Sequence, residues 1–219
     1  MSIPLLDPNS DRTRIKFCGM TRAEDVAIAE QLGVDAIGFV LVPKSPRYIA
    51  PAAAAQLRAT TKLTTVALFQ NADASFVRRA IDQARPEVLQ FHGDESEALC
   101  ASFGLPYLKA VSMHTPQDLA KLADVFASAA GLLLDSHPAG GLGGTGHAFD
   151  WSAVTPINKP VILAGGLNAS NVGEGIARVR PTAVDVSSGI EEKPGVKDSA
   201  KMRDFVEAVR AADRGTHRT

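Results

Sequence analysis

The chain has 219 residues, of which 45% are hydrophobic and 21% are charged, as is typical of a globular protein with a sizeable core. A formal net charge of −1 argues against binding to nucleic acid or to an anionic membrane. No apolar run approaches the roughly 18 residues of a membrane-spanning helix. Two cysteines, Cys18 and Cys100, form neither a disulfide framework nor a zinc site. We therefore expect a cytoplasmic protein without a signal peptide.

Eight short apolar or β-branched runs alternate with helical patterns along the chain. The runs are too short for helices and too uniformly apolar for half-exposed strands, so we predict buried parallel strands. In chain order they are residues 14–18, 35–42, 63–69, 87–91, 106–111, 131–135, 160–164 and 182–186.

Apolar residues at helical spacing occupy the intervals between these runs. Three such faces are Phe76, Val77, Ala80, Ile81 and Ala84; Leu119, Leu122, Ala123 and Phe126; and Met202, Phe205, Val206 and Val209. Thr21 and Glu24 have the spacing of a capping box, and Pro116 after Thr115 is typical of a first helical position. Pro51 opens an alanine-rich segment that predicts a further helix.

Eight strands alternating with helices admit a doubly wound open sheet or a barrel. An open sheet usually has fewer strands, with its phosphate-binding glycines after the first one. Here the glycine-rich segments follow the last three predicted strands, and barrels commonly bind phosphate after strands seven and eight. We predict the α/β class and a single-domain (β/α)8 TIM barrel over residues 14–212, with a flexible N-terminal tail at 1–13 and a C-terminal tail at 213–219.

Functional side chains of such a barrel lie at the C-terminal ends of the strands and in the loops that follow. This rule selects Cys18, Arg47, Gln90, His92, Asp135, Gly165, Gly166, Asp185, Ser188 and Gly189. No group of His, Asp, Glu or Cys has the spacing of metal ligands, and no Gly-x-Gly-x-x-Gly follows the first strand. We therefore expect no metal and no dinucleotide cofactor.

Cys18 and Asp135 are the candidates for acid–base chemistry. Cys18 is either a small buried hydrophobic residue or a reactive group, and the positive charge of Lys16, two residues earlier, would favour its thiolate. Asp135 ends an otherwise apolar strand, so its carboxylate is either an acid–base group or a cap for the following loop.

The remaining candidates suit the binding of anions. The glycine turns after strands seven and eight resemble a phosphate cradle, although tight turns explain each one singly. Arg47 is either a solvated surface arginine or a rigidly held partner for a carboxylate. His92 is either a substrate contact or a satisfied polar residue. The glycine-rich run 140–146 is typical of a mobile active-site loop.

Six segments, in the same order, resemble phosphoribosylanthranilate isomerases, and the resemblance extends over nearly the whole chain from about Arg14. They are 16–22 (KFCGMTR), 45–49 (SPRYI), 90–95 (QFHGDE), 134–135 (LD) with 143–146 (GGTG) and 149–151 (FDW), 163–168 (LAGGLN), and 184–191 (VDVSSGIE). His147 departs from the family pattern, which often has lysine there, and receives no role.

The resemblance implies a step of tryptophan biosynthesis that needs no cofactor. N-(5-phosphoribosyl)anthranilate undergoes an Amadori rearrangement to 1-(2-carboxyphenylamino)-1-deoxyribulose 5-phosphate. By motif match, Cys18 is the general base, Asp135 is the general acid, and Arg47 holds the anthranilate carboxylate. The matched phosphate-binding positions are Gly165, Gly166, Ser188 and Gly189, and the matched polar lining residues are Gln90, His92 and Asp185.

Three alternative functions are open to a phosphate-binding barrel of this kind. An indole-glycerol-phosphate synthase would be expected to use lysine and glutamate at strand ends, and a phosphoribosyl imidazole isomerase would carry aspartate where Cys18 stands. A degenerate barrel would bind a phosphorylated ligand without turning it over. If the chain is the isomerase, we expect its binding partner to be a small phosphosugar substrate, with no nucleic acid or membrane, and the chain to be a monomer or a homodimer.

Overall fold

A computed structural model describes residues 3–7, 11–136 and 148–216. Eight parallel strands pair in chain order, and the last pairs with the first to close a barrel. The strands are β1 (Arg14–Cys18), β2 (Ala36–Val40), β3 (Thr64–Phe69), β4 (Val88–Phe91), β5 (Tyr107–Ser112), β6 (Gly131–Asp135), β7 (Val161–Leu163) and β8 (Ala183–Val186). Each coincides with one of the eight predicted runs, and the predicted barrel is confirmed.

Helices cover the outside of this barrel. They are α1 (Ala23–Gln31), α2 (Pro51–Arg58), α3 (Ala74–Ala84), α4 (Glu97–Ala101), α5 (Leu119–Val125), α6 (Val172–Val179) and α7 (Ser199–Thr216). A short antiparallel hairpin of β9 (Glu191–Lys193) and β10 (Val196–Lys197) lies between β8 and α7.

Two of the predicted helix starts are wrong, and one is correct. The hydroxyl of Thr21 donates to the carbonyl of Gly195 instead of capping α1. The Asp118 side chain caps α5 by accepting from the Lys121 N–H, so this helix begins later than the Thr115–Pro116 signal predicts. Pro51 begins α2 as predicted.

Alternate residues of each strand face opposite sides of the barrel wall. One set, which includes Phe39 and Phe91, packs in a cluster with helix residues such as Val77 and Phe205. The other set forms a second cluster that contains no described residue of α1–α7, so it fills the interior of the barrel. Its members on the strands are Ala36, Val66, Val88, Leu108, Leu133, Ile162 and Ala183.

The N-terminal segment completes this interior cluster. Pro4–Leu6 form a 3-10 turn whose Leu5 is fully buried and whose Leu6 is 7% exposed, both against the interior residues. The structure therefore differs from the flexible tail expected at 1–13. The physical reason is that the N-terminal ends of the strands would otherwise leave apolar surface open to water.

The C-terminal boundary differs from the prediction as well. Helix α7 continues past residue 212 to Thr216, and the carboxylate of Asp213 is buried. Asp213 Oδ1 accepts from both the N–H and the hydroxyl of Thr13, at 3.1 and 2.6 Å, while Arg210 Nη1 donates to the Thr13 carbonyl at 2.8 Å. Asp213 belongs to the barrel because it anchors the start of β1.

Leu5→Ala is expected to lower the free energy of unfolding by about 2–5 kcal/mol, because it removes a fully buried side chain and leaves a cavity. Urea denaturation of the two proteins measures this difference. Val125→Ala is the matched control, since Val125 is 51% exposed and its loss should change stability by less than about 0.5 kcal/mol. An equally small effect of Leu5→Ala would mean that this turn does not pack in the barrel.

Candidate active site

A pocket with several polar side chains opens at the C-terminal ends of the barrel strands. It encloses about 750 Å³ of space including its open mouth, which suits a small-molecule ligand. The predicted residues that line it are Cys18, Arg47, Gln90, His92, Asp135, Gly165, Gly166, Asp185 and Ser188. Gly189 is not among the lining residues, although it lies beside Ser188 in a short 3-10 turn. Sequence reasoning missed the apolar wall of Val40, Val42, Leu68 and Leu167.

Cys18 lies beside a buried ion pair inside the barrel. Lys16 Nζ is 2.8 Å from Asp185 Oδ1, and the two residues are register partners across β1 and β8. On the opposite neighbour, β2, a Cβ added to Gly38 would lie 2.9 Å from Cys18 Sγ and 3.1 Å from Lys16 Nζ. Gly38 therefore leaves the space that these two side chains occupy, a role that the sequence did not reveal.

Burial raises the pKa of the Cys18 thiol, and Asp185 acts in the same direction, whereas Lys16 and Lys197 act against them. Burial works to lower the pKa of Lys16, but its neighbours outweigh this effect, Asp185 foremost, and the pKa is raised. Lys16 therefore stays charged and neutralises Asp185. Lys16 favours the thiolate, as its position in the sequence suggests, but burial and Asp185 oppose it, and neither of these could be judged from the sequence.

The side chains of Asp135, His92 and Gln90 lie in a row from β6 to β4. His92 Nε2 lies 3.3 Å from Asp135 Oδ2, and the Gln90 amide nitrogen lies 3.1 Å from His92 Nδ1. With the Gln90 amide nitrogen as the donor, His92 Nδ1 accepts, and Nε2 is the ring nitrogen that faces Asp135. Gln90 is fully buried, and its Oε1 accepts no hydrogen bond within the part of the chain that the structure describes.

Arg47 is held by a partner that the sequence did not suggest. Its side chain is buried, and its Nε and Nη2 donate to the two carboxylate oxygens of Glu191 at 2.9 and 2.7 Å. Glu191 also accepts from Lys197 Nζ at 2.8 Å. Burial would raise the pKa of Glu191, but Arg47 and Lys197 together lower it. Arg47 is therefore not a solvated surface arginine, and its guanidinium has a fixed direction at the pocket wall.

The turns after β7 and β8 pass close to each other. Gly165 has a φ of +79°, and an added Cβ there would lie 2.3 Å from the Ser136 nitrogen. A Cβ on Gly189 would lie 1.9 Å from the Leu167 carbonyl oxygen. Both positions require glycine, and the second contact joins the two turns that were predicted to act together.

The sequence predicts neither a metal site nor a membrane-spanning helix. Among the described residues, no cluster of three or more His, Cys, Asp or Glu side chains has a geometry that suits a metal ion. No helix in the described part of the chain is both long and apolar enough to cross a membrane. The glycine run 140–146 and His147 lie outside the described residues.

A closed parallel barrel that carries a thiol, a carboxylate, an arginine and two glycine turns at its C-terminal face is a (β/α)8-barrel enzyme, since this face holds the catalytic groups of the class.

The family model described as N-(5'phosphoribosyl)anthranilate (PRA) isomerase matches residues 15–208, and the chain belongs to this family. An N-(5'-phosphoribosyl)anthranilate isomerase of Stenotrophomonas maltophilia (strain R551-3) is 52% identical over 207 residues, which cover 92% of this chain and 95% of the relative. The resemblance found in the sequence motifs is thereby confirmed.

Two solved structures of phosphoribosyl anthranilate isomerases are similar to this chain. The crystal structure of the Thermus thermophilus protein has a TM-score of 0.83 and 37% identity, and the match covers 91% of this chain and 99% of that one. A second structure, in complex with reduced 1-(o-carboxyphenylamino)-1-deoxyribulose 5-phosphate, has a TM-score of 0.77 and 31% identity with the same coverage.

Proposed function

We propose that this chain catalyses the Amadori rearrangement of N-(5-phosphoribosyl)anthranilate to 1-(2-carboxyphenylamino)-1-deoxyribulose 5-phosphate, a step of tryptophan biosynthesis. The observation that carries the proposal is that Cys18, from β1, and Asp135, from β6, open into one pocket. The reaction requires one acid and one base. A relative with this fold was solved with the reduced form of the reaction's product, which supports the same substrate class.

Two anion-binding positions orient the substrate. Arg47 turns Nε and Nη2 toward Glu191, so its Nη1 edge is the one that receives the anthranilate carboxylate. The phosphate binds at the turns after β7 and β8, where Gly165, Gly166 and Ser188 line the pocket and Gly189 is the next residue of the turn. Gln90, His92 and Asp185 line the space between the two anchors.

The first chemical step opens the sugar ring. Asp135 donates a proton to the furanose oxygen, the bond between C1 and this oxygen breaks, and the anilino nitrogen becomes part of an iminium ion. The Nε2–H of His92, 3.3 Å from Asp135 Oδ2, stabilises the carboxylate that remains.

The second step moves the proton from C2. The iminium cation makes the C2 hydrogen acidic, and Cys18 removes it as a thiolate. Burial favours the protonated thiol, so Cys18 must first release its own proton to solvent at the pocket mouth, and the iminium cation stabilises the thiolate that results. The resulting enolamine ketonises, so that C1 is reduced and C2 is oxidised within one molecule, and no external cofactor takes part.

The test is the turnover of freshly generated phosphoribosylanthranilate, followed by the loss of its fluorescence. We expect the wild-type protein to consume the substrate much faster than its spontaneous decay. Absence of turnover by the folded protein would overturn the proposal. The substrates of the two rival barrel enzymes and the affinity for the reduced product analogue then decide between another reaction and a binding protein without turnover.

Arg47→Met is expected to raise KM by about 10- to 100-fold, because it removes a charge-assisted hydrogen bond to the substrate carboxylate. Glu191 keeps Lys197 as a partner in this variant, so no charge is left unpaired. Steady-state kinetics measure the effect. Arg58→Met is the control, since Arg58 pairs with the exposed Glu87. An unchanged KM for Arg47→Met would remove the proposed carboxylate contact.

The oligomeric state, monomer or homodimer, and the cytoplasmic location stay predictions.

A further inference from the structure

Lys197 is a fully buried lysine that contacts two pocket-lining residues and is not among the residues that the sequence singled out. Its side chain is 0% exposed. Its Nζ donates to the Cys18 carbonyl at 2.6 Å, to the Ser187 carbonyl at 3.2 Å and to Glu191 Oε1 at 2.8 Å. An ammonium group has three N–H donors, so all of them are used in this arrangement.

Two of these bonds join the ends of neighbouring strands. The register between β1 and β8 ends at Phe17 and Val186. Cys18 follows Phe17, and Ser187 follows Val186 just after the end of β8. The carbonyls of Cys18 and Ser187 both accept from Lys197 Nζ. The ammonium group therefore continues the connection between β1 and β8 at the point where their ladder stops.

The third bond extends the network to the wall of the pocket. Glu191 accepts from Lys197 and holds Arg47 through both of its carboxylate oxygens. The backbone of Lys197 is fixed from the side of α1, because its N–H donates to Asp25 Oδ2 at 3.3 Å and its carbonyl accepts from Arg22 Nη2 at 3.2 Å. The Lys197 ammonium group thus contacts the end of β1 at Cys18, the turn after β8 at Ser187, and the carboxylate of Glu191, which holds Arg47.

We infer that Lys197 is a positioning residue for the proposed reaction, which holds the Cys18 main chain, the turn after Ser187 and, through Glu191, the Arg47 guanidinium in one fixed arrangement. The inference rests on the proposed function for what the three groups do. Desolvating a fully buried ionic group costs free energy. An apolar side chain of similar length would fill the same space without that cost, so packing alone does not explain a lysine here. The bonds of Lys197 lead to functional groups instead of to the hydrophobic core.

Lys197→Met tests this role, because it keeps the length of the side chain and removes its charge and donors. The Arg47–Glu191 pair remains, so no buried charge loses its last partner. We expect kcat/KM to fall by about 10- to 100-fold, with a lower kcat from a displaced Cys18 and a higher KM from a loosened Arg47. The affinity for the reduced product analogue should fall with the change in KM.

A second readout does not depend on turnover. In a Cys100→Ala background, the rate of alkylation of Cys18 by iodoacetamide is measured against pH. Its midpoint should move upward in Lys197→Met, since a neighbouring positive charge is lost. The charged or titratable groups that remain around Cys18 are Lys16, Arg47, His92, Asp135 and Asp185.

Lys159→Met is the matched control, since Lys159 Nζ also donates to main-chain carbonyls, those of Ala127 and Ala129 at 3.1 and 2.7 Å, away from the pocket. It should change thermal stability alone. A folded Lys197→Met protein with kcat/KM and analogue affinity within about threefold of wild type, and with an unmoved alkylation profile, would overturn the inference.

If Lys197→Met does not fold, Lys197→Gln replaces it, because glutamine keeps N–H donors and removes the charge. The same kinetic, affinity and alkylation results then support or overturn the inference. Failure of both variants to fold would assign Lys197 to stability and overturn the positioning role. If the wild-type protein itself does not turn over phosphoribosylanthranilate, the proposed function fails on its own. Analogue affinity and alkylation then still decide whether Lys197 positions the pocket.

Discussion

Replacement of Cys18 by alanine is expected to lower kcat by about 100- to 10,000-fold, the usual contribution of a general base. Alanine cannot remove the C2 proton, and the loss of one small side chain at the edge of the interior leaves the barrel intact. Fluorescence-detected turnover of phosphoribosylanthranilate measures the loss, and thermal denaturation checks the fold.

Cys100→Ala is the matched control for this substitution. Cys100 is also fully buried, but it lies in α4, and burial raises the pKa of its thiol to about 11. We expect this variant to lose stability and to keep its turnover. Near-normal turnover by Cys18→Ala would refute the role of Cys18 as the base and leave it as a packing residue.

Asp135→Asn is expected to lower kcat by a similar factor, about 100- to 10,000-fold, with little change in affinity for the reduced product analogue. The amide has nearly the shape of the carboxyl group, and its oxygen can take the same position beside His92 Nε2. It cannot supply the proton that opens the ring. Steady-state kinetics together with titration of the analogue separate the two effects.

Asp118→Asn serves as the control, because Asp118 caps α5 and asparagine caps a helix equally well. Its kinetics should equal those of the wild-type protein. A large loss of analogue affinity by Asp135→Asn at unchanged turnover would contradict the acid role and assign Asp135 to binding.

The strands and most of the pocket could be predicted because both depend on local pattern. A strand buried on both faces is apolar throughout, and a polar residue at its end, such as Asp135, stands out against the residues before it. The barrel rule then brings side chains from distant parts of the chain to one face. Gln90, His92 and Asp185 line the pocket for this reason.

The contacts that sequence reasoning missed join residues far apart in the chain. Arg47 and Glu191 are separated by 144 positions, and Glu191 lies in a charged stretch that is typical of a solvated hairpin. The hydroxyl of Thr21 could cap the neighbouring helix, but it donates a hydrogen bond to the distant Gly195 carbonyl instead. Leu5 lies among prolines and polar residues without periodicity, so only the closed barrel reveals its burial.

The turn formed by Pro4–Leu6 has a consequence for how the protein responds to ionic strength. Leu5 and Leu6 close the barrel interior at the N-terminal ends of the strands, so in the described part of the chain the pocket mouth is the open side that faces the Lys16–Asp185 pair. A substrate bound as proposed would cover that mouth, and buried pairs are screened far less than exposed ones. We therefore expect added salt to weaken the capture of the proposed substrate, which carries a phosphate and a carboxylate, and to leave the chemical step nearly unchanged.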